Sequence, residues 1–539
     1  MTRATSLTAI GLIVTIATTV AAQDHTHSAT ALDKLGTVHF PTSCSAAAQP
    51  QFDHSIALLH SFEFARAIKA FGVTLKTDPT CAMAEWGIAL SMWTNPMSAT
   101  ARQLSTMGAG RDAVGRALAL GPKTERERAY IDAVSHLFTA FETTAQSSRV
   151  AAYRDAMASV AAKYPDDTEA TIFYALSLTA AASPGDKAFA DQLKAGAILE
   201  GLFAKQPNHP GLAHYIIHTY DAPPLAARAV DAAGRYSKIA PSAPHALHMP
   251  SHTYTRVGYW QQSIDANVAA AAAAKAEGAT AEELHASDYQ VYAYLQTGQD
   301  AAARRVLNSL PEIETRFDPA AIGGAASGAG GIFALAAIPA RYALERGDWT
   351  AAAQLTPRTT MIPYTEAMTY FARAIGASHT GEMAIARQAV DSLRAIQQRL
   401  ATANDVYWAE QVRIQLLGAS AWVAHAEGLS GEALELMRAA ADAEDRTEKG
   451  GITPGPLAPA RELLGEMLLR MKEPALALVA FEATLAKEPD RFRALSGAAL
   501  TAERGGDQTK AKKYFARIVA VCSKGDTPGR AELVLARQR

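Results

Sequence analysis

Apolar residues recur with helical period along nearly the whole chain, and small residues, aromatics and prolines return in a fixed order about every 34 residues. From Ala458 the order reads Leu464, Gly465, Leu468, Ala477, Phe481 and Pro489, then Gly506, Ala511 and Phe515. Leu58, Ala67, Phe71 and Pro79 fill the same slots near the N-terminus. Gly258 with Trp260, Gly298 with Ala303, Gly347 with Trp349 and Ala352, and Gly428 with Ala433 mark further units between. A period of that length is one helix–turn–helix, too small to bury its own apolar face, so the units must stack. No segment sustains period-2 alternation, and the expected class is all-α.

These slots resemble those of the tetratricopeptide repeat (TPR), over most of the chain. The resemblance implies a TPR-like right-handed superhelix of antiparallel helix pairs, about ten to twelve of them. The segments HPGLAHYIIHTYD (209–221), HALHMPSHTY (245–254), CAMAEWGIALSMW (81–93) and TPGPLAPARELLGEML (453–468) look similar to a group of exported bacterial TPR proteins. That similarity runs from about residue 36 to the C-terminus. It implies the fold and an exported location, and carries no catalytic residue with it.

Residues 1–22 read as a secretory signal: Arg3, an apolar run from Leu7 to Val20, and the small Val20-Ala21-Ala22 before Gln23. The run is short for a membrane span and no second candidate follows, so the expectation is a soluble periplasmic protein without an integral span after cleavage. Beyond it we expect a disordered mature N-terminus (23–35), a solenoid with a histidine-rich groove (36–322) and a flexible glycine-rich loop (323–331). Middle repeats (332–447), a Pro/Gly connector (448–459) and C-terminal repeats (460–539) complete the division. With 51 basic and 53 acidic residues and no basic stripe, nucleic acid is not an expected partner. Cys44 and Cys81, about one repeat apart, form a possible disulfide in an oxidising compartment, leaving Cys522 as a small buried residue.

Six of the fifteen histidines fall between positions 209 and 252. His214 and His218 are followed 34 residues later by His248 and His252, with i,i+4 spacing within each pair. Counting Pro210 as the first residue of its repeat, His214 and His218 stand at slots 5 and 9, and His248 and His252 repeat them in the next unit. His245 and His285 stand at slot 2 of two successive units, Asp288 at slot 5 and Tyr292 at slot 9. In TPR proteins these slots line the concave groove. His214, His218, His248 and His252 are therefore the proposed ligands of one transition-metal site, with Asp221, His245, Asp288 and His285 as alternative or orienting partners. Nitrogen donors suit Cu, Zn, Ni or Fe rather than Mg or Ca. Pro250, inside the second pair, is expected to kink the face. A second, weaker metal motif is Gln23-Asp24-His25, a Cu(II) or Ni(II) chelate if the chain is cut before Gln23.

Trp86 and Trp93 also fall at groove slots, where they would meet an apolar peptide or ligand or be covered as core, and Arg256 and Arg341 at others, where they would meet a carboxylate or a neighbouring glutamate. No HExxH, GxSxG or GxGxxG motif supplies a named reaction. Two other functions stay open: a metal-free scaffold binding a protein or peptide partner in the groove, and a metal-dependent hydrolase or oxidoreductase.

Overall fold

The computed structural model describes Met1 and residues 33–98, 102–183 and 185–539. The signal segment and the Gln23-Asp24-His25 motif lie outside them. Lys34–Arg539 forms one compact unit. The described residues fold into α-helices, one short 3-10 turn and loops, with no strand among them. Each helix packs on its neighbours in sequence, as Trp260–Glu277 does on Thr280–Gln296 and Val406–Ala426 on Ser430–Asp445. The chain is a TPR-like stack of antiparallel helix pairs, and no described helix is long and apolar enough to cross a membrane.

Two slots of the repeat have direct physical causes. The turn glycines Gly258, Gly298, Gly347 and Gly428 all have positive φ, between 62° and 83°, which a side chain would strain. The helical glycines serve close packing. A Cβ on Gly465 or Gly497 would stand 2.9 or 2.3 Å from the Phe481 ring, which fills the space between the two helices.

The superhelix curls back on itself. Trp260 Nε1 donates to the Asp490 carbonyl at 3.1 Å, and the Phe492 amide donates to Gln296 Oε1 at 2.9 Å. Arg530 bonds both Asp300 and the Leu295 carbonyl. At the centre of this seam Arg491 pairs with Glu345 and Glu462, and all three side chains are fully buried. Tyr292, expected to face the groove, bonds Arg491 there and is part of the seam.

Several expectations need correction. The glycine-rich stretch is not a flexible loop throughout: a helix begins at Gly328. Its glycines allow contact, since a Cβ on Gly328 would lie 1.9 Å from the Pro319 carbonyl oxygen and one on Gly331 2.4 Å from Phe317. Order begins before residue 36, with Leu35 buried and the Lys34 amide donating to Ser242 Oγ. Trp86 and Trp93 are core residues, 1% and 3% exposed. Phe40, from the segment ahead of the first helix, covers Trp86 together with Tyr130 and Phe173. The cysteines need no correction: Cys44 and Cys81 form a disulfide with Cα atoms 4.9 Å apart, and Cys522 is free and buried.

Candidate metal centre

Pro210 and Pro244 both stand at the start of a helix, where the missing N–H costs nothing, so the two helices begin in the same register. His214 and His248 each follow four residues later. Pro250 does break the second helix, into Pro244–His248 and Pro250–Arg256, yet His252 still meets His248. The Thr280–Gln296 helix brings His285 alongside.

The six rings gather as two triangles rather than one four-membered set. His214, His218 and His245 offer ligand atoms within 4.8 Å of one another, and so do His248, His252 and His285. His245 and His285, expected as orienting partners or alternatives, are thus full members. All six are buried except His218, which is partly so.

Hydrogen bonds behind the rings fix which nitrogen faces inward. His214 Nδ1 donates to the His60 carbonyl at 2.6 Å. His248 Nδ1 donates to Asn267 Oδ1 at 2.6 Å, and the Asn267 amide is itself oriented by its Nδ2 donating to the Ser263 carbonyl. His252 Nδ1 donates to Asp221 Oδ2 at 2.9 Å. A neutral imidazole protonated on Nδ1 carries a lone pair on Nε2. His248 Nε2 and His252 Nε2 lie 3.0 Å apart, so two lone pairs confront each other with no proton between them. His245 Nε2 lies 3.1 Å from the lone pair of His214, and the Glu282 carboxylate, 3.8 Å from His245 Nδ1, favours the same tautomer there. His218 Nε2 is buried without a hydrogen-bond partner.

Burial holds His214, His218 and His248 well below the usual histidine range, and lowers His252 to about 4 and His285 to about 3. These rings are neutral at neutral pH, as ligands must be. Burial would raise the Asp221 carboxyl, but Lys449 and Arg256 hold it well below its ordinary value. Asp221 accordingly orients His252 and accepts from Arg256 Nε at 2.8 Å. Asp288 does not reach the rings. It pairs with fully buried Arg341 at 3.1 Å, which ends the histidine pattern at the third unit.

A third group escaped the sequence analysis. Glu169 bridges His60 Nε2 at 2.9 Å and His209 Nε2 at 3.0 Å, while His60 Nδ1 accepts from the Tyr215 hydroxyl. His209, in the turn just before the Pro210–Thr219 helix, is 2% exposed. The bridge fixes His60, whose carbonyl in turn holds His214. Glu169 and His60 lie 109 residues apart and share no repeat slot, so no periodic signal marks them.

The groove is roofed. Lys449 Nζ reaches Asp221 at 3.2 Å, and the Tyr289 hydroxyl bonds the Thr453 carbonyl at 3.2 Å. Arg341 bonds the Pro456 carbonyl at 3.1 Å. Segment 448–459 therefore covers the histidines from one side. At their edge, the Ala326 amide binds Glu282. Arg256 and Arg341, at groove slots, are buried against acids of the chain itself, Asp221 and Asp288.

No protein-family model matches this sequence, and no curated protein matches it. Among solved structures, human IFIT1 dimer with m7Gppp-AAAA aligns over 82% of this chain and 90% of its own, at 9% identity and a TM-score of 0.36. The Cut9-Hcn1 hetero-tetramer of APC/C aligns over 91% and 89%, at 12% identity and a TM-score of 0.32.

Proposed function

We propose that this protein is an exported TPR-type solenoid that binds a transition metal, Cu, Zn, Ni or Fe, through His214, His218, His245, His248, His252 and His285. One observation carries the reading: the facing lone pairs of His248 and His252 at 3.0 Å. Two nitrogens bound to one ion at 2.0–2.1 Å stand about 2.9 Å apart at a right angle and about 3.3 Å apart at the tetrahedral angle. The contact is repulsive without a cation and ordinary with one. The Cys44–Cys81 disulfide supports an oxidising compartment. A metal-free scaffold would need another face, because the chain's own connector occupies the wall beside the histidines.

The test is elemental analysis of untagged protein recovered from the periplasm, beside a His214→Ala/His248→Ala variant. Bound Cu, Zn, Ni or Fe that disappears in the variant is the expected result. A folded wild-type protein that holds no metal even after reconstitution overturns the reading.

A further inference from the structure

The two histidine triangles are copies of one another. Each takes slots 5 and 9 of one repeat and slot 2 of the next: His214, His218 and His245 in the first, His248, His252 and His285 in the second. Their shapes match as well. In the first, ring centroids are separated by 4.8 Å (His214 to His218), 4.9 Å (His214 to His245) and 6.1 Å (His218 to His245). In the second, the corresponding separations are 5.0 Å (His248 to His252), 4.5 Å (His248 to His285) and 6.2 Å (His252 to His285). His214 and His248 occupy the same apex.

The triangles also touch. His218 and His252 rings lie 5.9 Å apart, and His245 and His248 rings 5.9 Å apart, both shorter than the longest edge within either triangle. No side chain of another kind is needed to span the gap. Ions about 3.5–4 Å apart commonly share a solvent-derived oxygen, and three ligands per ion leave a position open for it.

We propose that the paired triangles form a dinuclear centre, two like transition-metal ions with three imidazoles each and a water or hydroxide between them. This rests on the metal reading above and extends it: the repeat duplicates one chelate, and the superhelix sets the copies side by side. Second partners match at the apices, where His214 is held by a backbone carbonyl and His248 by a side-chain amide carbonyl. Each triangle also has one buried carboxylate, at non-equivalent corners: Glu282 by His245 in the first and Asp221 by His252 in the second. Those buried carboxylates would offset part of the charge of two cations.

The experiment uses the full chain in a His25→Ala background, which removes the N-terminal chelate. The protein is loaded with Cu(II), freed of excess, and read by ion count and by electron paramagnetic resonance. The expected result is two ions per chain with a signal far below two spins, because a bridging oxygen couples the pair. His218→Ala and His285→Ala, each breaking a different triangle, should each lower the count to one and restore a full one-spin signal, with circular dichroism confirming the fold. One ion in the parent protein, or two ions giving two full spins, overturns the dinuclear centre while leaving the metal reading standing. No uptake overturns both.

Discussion

Lys449 and Asp221 are 228 residues apart in sequence and 3.2 Å apart in space, and the same carboxylate oxygen accepts from His252. The connector thus reaches His252 through Asp221, and a second time through the Tyr289 hydroxyl, which meets both the Thr453 carbonyl and His252 Nδ1. Losing the carboxylate frees the His252 ring; losing the ammonium loosens the roof but leaves the ring's acceptor in place.

On the metal reading, Asp221→Asn should weaken metal affinity by about 10–100-fold, the usual cost of removing an orienting partner. The number of ions bound at saturation should not change. Competition against a calibrated chelator measures this, with Lys449→Met as the milder companion. Unchanged affinity in Asp221→Asn would show that His252 needs no such anchor.

Arg491→Met should destabilise the protein by about 3–5 kcal/mol, because Glu345 would remain fully buried without its cation and Glu462 would keep only the longer contact to Arg493 at 3.5 Å. Urea midpoints report the loss. Replacing all three by apolar residues of similar volume should recover much of it. Equal instability in the single and triple variants would point to lost packing instead.

Breaking the Cys44–Cys81 disulfide, which closes a separation of 37 residues, should cost about 3–4 kcal/mol on loop-entropy grounds. Denaturation of a Cys44→Ser/Cys81→Ser variant checks it, and reductant should move the wild type but not the variant. A wild-type midpoint indifferent to reductant would contradict it.

His379 gives a pH dependence away from the histidine triangles. Burial, with Arg470 and Arg493 nearby, lowers it from 6.5 to about 3, and its ring packs between Trp349 and Trp422. Below pH 6.5 the unfolded chain takes up a proton that the folded chain refuses until about pH 3. Stability is therefore lost as pH falls through that window, by at most roughly 1.4 kcal/mol per unit. His379→Phe should gain on the wild type between pH 7 and pH 5 and hold a constant difference above pH 7.5, by about that slope. A difference that ignores pH would refute the assignment.

The sequence carries the fold plainly where one local cause repeats. Gly298 and Gly347 recur because the turn demands positive φ, and Gly465 and Gly497 because Phe481 needs room. The histidines are legible for the same reason, since His214 and His248 inherit one register from Pro210 and Pro244. Their grouping is not. Whether His245 joins His214 or merely orients it depends on ring rotations and on the break at Pro250, neither of which spacing encodes. His60, Glu169 and Tyr215 meet through tertiary packing alone. Trp86 reads as a groove residue until Phe40, from an aperiodic segment, is laid over it. The roof is invisible for a similar reason: EKGGITPGPLAP announces a connector but not where it rests.

That roof has a consequence for timing. All six histidines are synthesised well before residues 448–459, so the growing chain displays them to solvent until its last third arrives and settles. On the metal reading, an ion present in that interval would be enclosed as folding ends, and one that comes later would wait for the connector to lift. Occupancy in the finished molecule would then record what surrounded the chain while it folded.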